Sequence, residues 1–247
     1  VIYMNPSSAT IDTTTLIQGF KITNGGNVSS GGGIYLSGGA SPSLKVLAIT
    51  NNNSTSGGGG GIYISNQSSP YLRGVSIYLN STTSDGGGIY STGSNPTLTD
   101  VKINNNSASQ DGGGLKLSSS SPKLTNVDIL ENSSGFIGGG MYLEQTNNNT
   151  SNSVPIFDNV IIKSNSAVWG GGGILITGPG GDTLSNFQII GNDSPRGGGM
   201  YFWGGIANTI SNVSILDNTA ITGGGIYLQS GLSTFNNVTI SRNSAST

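Results

Sequence analysis

Asp85 and Asp111 each stand immediately before a run of three glycines. They are the nearest thing in this sequence to a paired-carboxylate site. Two such acids can serve glycoside hydrolysis as acid and base or nucleophile, and carboxylate oxygens also suit Ca2+. Little else would assist them. The chain has no His and no Cys, which removes the commonest general base and any thiolate metal site or disulfide. The 9 basic residues are scattered, so no base is placed as a polysaccharide lyase needs. Asp100, Asp128 and Glu131 are expected near the bend on adjacent coils, facing in varied directions. The expectation is a protein that is not an enzyme and carries no cofactor, with a polysaccharide lyase or hydrolase as the alternative. Asp85 and Asp111 are the one Ca2+ candidate, weighed against an ordinary role as solvated turn residues.

A second recurrent type is aromatic. Tyr35, Tyr63, Tyr90, Tyr142, Tyr201 and Tyr227 each follow a glycine triplet and one apolar residue, and Lys116 and Leu175 interrupt the series. Tyr3 extends it. Stacked at about 4.8 Å, the spacing of neighbouring strands, these rings form an outward stripe. It is a candidate for binding glycan rings or a partner, against the simpler role of stabilising an exposed sheet face.

Both features depend on a repeat. The last glycine of each triplet falls at Gly33, Gly61, Gly88, Gly114, Gly140, Gly173, Gly199 and Gly225, at intervals of 28, 27, 26, 26, 33, 26 and 26 residues. A second motif, apolar-x-x-apolar-x-Ile-x-x-Asn, runs in phase. Its closing residues are Asn52, Asn80, Asn106, Asn132, Asn165, Asn192, Asn218 and Asn243, and Gly25 stands where an earlier one would fall. Gly-Gly-Gly-Ile-Tyr-Leu reads as a short strand with Ile and Leu inward and Tyr outward. The position before the Val of the second motif is Gly19, Gly74, Asp100, Asn126, Asn159, Asn186, Asn212 or Asn237, with Val46 as the exception. Gly, Asn and Asp tolerate φ > 0, so a sharp bend is expected there, placing Leu and Val on two different sheet faces. Three short strands per unit predict a three-sided coil. One coil buries about five apolar side chains at roughly 1.5–3 kcal/mol each and orders some 26 residues at about 1–2 kcal/mol each, so coils fold only when stacked.

The fold class expected is all-β: a right-handed, single-stranded parallel β-helix of about nine coils of about 26 residues, one body over residues 1–247. The Asn column is expected to be internal and structural, because buried amides must be paired. The glycines suit close backbone packing rather than a phosphate loop, which requires a following helix with Lys and Ser or Thr. Leucine-rich repeats share the Leu124-x-x-Val127-x-Ile129-x-x-Asn132 spacing but would need a different second half. The outward position between Val and Ile is too irregular for an ice-binding Thr array. The ten residues 145–154 are polar and are expected to protrude as a loop.

Composition excludes other classes. The net charge is −2, and no basic patch suggests nucleic acid. No apolar run approaches the ~20 residues of a membrane span.

The paired motifs Gly31 to Ile34 with Gly223 to Ile226, and Ile103 to Asn106 with Ile215 to Asn218, resemble the Gly-Gly-Ala-Ile and Phe-x-x-Asn repeats of chlamydial polymorphic outer-membrane proteins. Gly replaces Ala and Ile replaces Phe here. The resemblance spans nearly the whole chain. It implies a β-helix passenger displayed at a bacterial cell surface or secreted, often adhesive. The partners expected are further repeats of a longer chain or copies stacked end to end as a fibre, together with glycans or cell-surface partners.

Overall fold

A computed structural model of the protein describes residues 1–7, 10–145, 155–178, 183–204 and 208–247. The described residues form strands, turns and bends and no helix. The named strands lie in three sheets, and each strand pair is parallel, the arrangement of a solenoid. The loop expected at 145–154 lies outside the described residues except for Gln145.

The first sheet, here the glycine sheet, has nine strands, from Ile2–Met4 to Ile226–Leu228. Like positions align from coil to coil: Ile89 pairs with Leu115 and Leu115 with Met141. Each glycine of a triplet answers a separate demand. Gly86 has φ +63°, a left-handed turn into the strand. A Cβ on Gly87 would lie 2.5 Å from the Ser107 carbonyl oxygen, and one on Gly88 would lie 2.6 Å from that of Gly114. Bare backbone there lets neighbouring coils approach.

The second sheet is bent. Every residue expected at the bend has positive φ, from 50° at Asn237 to 81° at Gly19. The consequence differs from expectation. Leu and Val do not fall on separate sheets: Thr97–Asn104 and Lys123–Leu130 are single strands of 8 residues that run through the bend. Leu98, Val101 and Ile103 all point into the core, at most 1% exposed. Val46 keeps the bend at φ +50°, so it is an exception in residue type alone.

The third side comes from a segment read in the sequence as a turn. Short strands such as Ser107–Ala108 and Ser133–Ser134, just after each inner Asn, build a nine-stranded serine sheet.

The core is a continuous column of Ile, Leu, Val and Phe, bordered by the inner asparagines. Asn52 through Asn218 are at most 1% exposed. The Asn106 Nδ2 donates to Asn132 Oδ1 at 3.0 Å and to the Ile77 carbonyl at 2.9 Å, and its backbone N–H also donates to Asn132 Oδ1. Its own Oδ1 accepts the same two bonds from Asn80. The pattern runs unbroken from Asn52 to Asn243. Gly25, lacking a side chain, joins it by donating its N–H to Asn52 Oδ1.

Two outcomes are expected. Replacing Asn106 with Ala strands the donors of Asn80, the Ile77 carbonyl and one Asn132 lone pair. Unmade buried bonds cost about 1–3 kcal/mol apiece, so chemical denaturation should register a loss of at least about 3 kcal/mol. Val46→Asn relieves a β-branched residue from a left-handed conformation that costs roughly 1–2 kcal/mol. It should raise the unfolding midpoint.

Candidate functional site

The outer face of the glycine sheet gathers most of the chemistry singled out in the sequence. Alternation in its strands sends the residue after each Ile or Leu outward, and parallel register stacks these residues into one column. Tyr3, Tyr35, Tyr63, Tyr90, Lys116, Tyr142, Leu175, Tyr201 and Tyr227 follow one another along it.

The column is not one exposed stripe, and here the sequence expectation needs correction. Tyr3 is 65% exposed, whereas Tyr142 and Tyr201 are 6% and 1% exposed. Tyr35, Tyr63, Tyr90 and Tyr227 are intermediate. At the first coils the rings stack, with Tyr3 and Tyr35 at 4.7 Å and Tyr35 and Tyr63 at 5.3 Å. Farther along, Ile137, Tyr142, Leu175 and Tyr201 form a second apolar cluster outside the main core. Trp169, Trp203 and Tyr227 pack against it. Large apolar neighbours on the same face bury the rings that alternation alone would have left in water.

Lys116 replaces Tyr midway along the column, and Asp85 and Asp111 explain it. Both acids sit at the turn from the serine sheet into the glycine sheet. The Lys116 Nζ lies 3.0 Å from Asp85 Oδ2 and 3.1 Å from Asp111 Oδ2. The Asp111 N–H donates to Asp85 Oδ1 at 3.2 Å. The ammonium is 4.9 Å from the Tyr142 ring centroid and 5.5 Å from that of Tyr90, within cation–π range. One carboxylate oxygen, Asp111 Oδ1, is buried without a partner. The two acids are brought together as the repeat implied, with an ammonium between them. The signal for it was legible: the one Lys in a Tyr column falls in the coil of Asp111, next to that of Asp85.

The electrostatics of the cluster follow from burial and pairing. Burial pushes the Asp111 carboxyl above its ordinary value, against the pull of Lys116. Burial also works to lower Lys116, but attraction to Asp85 and Asp111 outweighs it and the ammonium titrates above 10.5. Burial raises the phenols of Tyr90 and Tyr142, so both keep their protons and are poor proton donors. The ammonium is thus held by both carboxylates through their Oδ2 atoms.

Asp100 and Asp128 do not join this cluster. Asp100 lies 3.9 Å from Arg73 in an exposed pair and accepts a bond from Asn126 at the bend. Asp128 stacks in register beside Lys102. Asp100 and Asn126 begin an outer amide ladder that the sequence reading missed: Asn159 Nδ2 donates to Asn126 Oδ1 at 3.0 Å, and Asn237 Nδ2 to Asn212 Oδ1 at 2.8 Å.

The Lys116 cluster generates a prediction with a sign. The raised Lys116 contributes stability that is fully present below pH 10.5 and is lost as pH rises through its higher folded value. The raised Asp111 favours the folded state only below 3.8, so its ionisation at neutral pH is a cost that Lys116 offsets. Lys116→Met should therefore destabilise the protein by about 3 kcal/mol, the scale for breaking a buried pair. Asp111→Asn should cost less, and Lys116→Met combined with Asp85→Asn and Asp111→Asn should restore most of the loss. Denaturant melts at pH 7 would measure all three.

No curated protein and no solved structure matches the chain. A family described as the right handed beta helix region matches residues 1–160, in agreement with the parallel coils and their repeated strand–turn pattern. By that match the chain belongs to the right-handed β-helix family.

Proposed function

We propose that the protein is a non-enzymatic scaffold of the secreted or cell-surface kind, adhesin-like, which presents the outer face of its glycine sheet to a ligand. The observation that carries this reading is the Lys116 cluster. The two acids most suited to glycoside chemistry bind an ammonium between them, under rings whose phenols burial holds protonated. A hydrolase needs one carboxyl free to give a proton and a second free to attack or activate water. The exposed end of the same column, Tyr3 with Tyr35 and Tyr63, offers stacked rings instead. Display at a surface is supported by the likeness of the glycine and Asn motifs to repeats of chlamydial polymorphic outer-membrane proteins.

The test is a glycan array and a cell-adhesion assay run beside a reducing-end assay on the same polysaccharides. Binding without turnover is the expected result, weakened by Tyr35→Ala and Tyr63→Ala. Turnover that disappears in Asp85→Ala or Asp111→Ala would overturn the reading in favour of a polysaccharide-degrading enzyme. Binding indifferent to both Tyr variants would remove the stripe as its site.

A further inference from the structure

The two Trp residues of the chain, Trp169 and Trp203, lie in one place. Their rings are 5.2 Å apart and both pack against Tyr201, Trp169 from the corner where the serine sheet turns into the glycine sheet and Trp203 from the end of the glycine-sheet strand Met200–Trp203. Phe136, from the preceding coil, lies 5.5 Å from Trp169 and is 39% exposed. Both Trp side chains are partly open to solvent.

An open groove of about 650 Å³ runs along the serine sheet, and its lining includes the residues that precede Trp169 and Arg196 in the chain. Its lining includes the hydroxyl-bearing Ser109, Ser133 and Ser166 and the carboxylate-bearing Asp193. Ser133, Ser166 and Asp193 stack in register on successive coils. Val168 and Pro195, the chain neighbours of Trp169 and Arg196, form its apolar side. A pocket of this size suits a small ligand, and its polar groups repeat at the coil spacing.

Arg196 supplies the remaining chemistry. Of the three Arg residues, Arg73 and Arg242 pair with Asp100 and Asp217. Arg196 instead lies over the Trp169 ring at 4.8 Å, and among the described residues it has no carboxylate within ion-pair distance. Stacking pre-orients its planar fork of donors. Asp193, on the same strand, is likewise in no ion pair among the described residues. One unspent donor fork and one unspent carboxylate, balanced in charge, suit neighbouring hydroxyl groups rather than an ion. Partly exposed aromatic rings suit the apolar faces of the same molecule.

We propose that this corner is a binding subsite for a neutral sugar chain. A sugar ring packs on the Trp169–Trp203 aromatic cluster, Arg196 donates to its hydroxyl oxygens, and Asp193 accepts from its hydroxyl groups. The site rests on the reading of the protein as a binding scaffold and adds to it a ligand class and a location beside the buried end of the Tyr column, distinct from the stacked rings of Tyr3, Tyr35 and Tyr63.

Intrinsic fluorescence tests it directly, because both Trp residues belong to the site. The intact protein would be titrated with neutral cello-, manno- and chito-oligosaccharides and with oligogalacturonate as the acidic control. The neutral polymers, immobilised, would distinguish a surface-bound source from a free one. A saturable change with a neutral oligosaccharide is expected, weakened about tenfold by Arg196→Gln or Asp193→Asn, the scale of one charge-assisted hydrogen bond. Thermal melts should leave both variants folded, since their side chains sit at the surface. Silence toward every neutral sugar in both free and immobilised form, preference for the acidic control, or unaltered affinity in both variants overturns the subsite. Array binding that depends on Tyr35 and Tyr63 while the Trp signal stays silent overturns the subsite and leaves the scaffold reading standing. Turnover together with a Trp response does the reverse.

Discussion

A single amide side chain per coil ties each turn of this protein to the turns on either side. Asn106 donates twice to Asn132, once to the Ile77 carbonyl, and accepts twice from Asn80. No polar atom of that side chain is left over, although it sits at the edge of an apolar column. Other features follow from keeping this chain of amides continuous. The coils must stay in register, the sheets must be parallel, and backbone must approach backbone closely at the glycines. A slip of one residue would break bonds on two coils at once.

Because the ladder and core fix the inside, variation is confined to outward positions, where its effects are large. One column holds stacked phenols at the first coils, a salt-bridged ammonium in the middle and an apolar cluster with both Trp residues farther on. The backbone beneath these three regions is nearly the same. A repeat of this kind therefore separates the problem of folding from that of recognition, and adjacent coils present different chemistry on one scaffold.

Much of the fold was legible because the sequence repeats its own constraints. The glycine triplets, the inner Asn positions and the bend residues each declare themselves eight or more times, and each has one physical cause. Two things were hidden. The serine sheet was read as turn, because Ser-Ala and Ser-Ser pairs carry no strand propensity and form strands only when stacked. The left-handed residue just before each inner Asn was hidden too. Asn51 and Asn105 advertise that conformation, but Leu79, Glu131 and Ser164 adopt it as well, at φ 55–56°, because the ladder demands it. At the candidate site, register placed Asp85 near Asp111, and the interruption at Lys116 marked the third partner. The burial of Tyr142 and Tyr201 was not visible, since alternation says which way a side chain points and nothing of what else covers it.

The spacing between Asn132 and Asn165 is 33 residues, against 26 between Asn106 and Asn132. Both steps of the ladder nonetheless close at 3.0 Å. The seven additional residues thus fall where the coil's length is not metered, after the glycine strand and before the bent one. Such a corner is an insertion port. Added length entering there leaves the column of amides closed, as the equal distances on either side of Asn132 record.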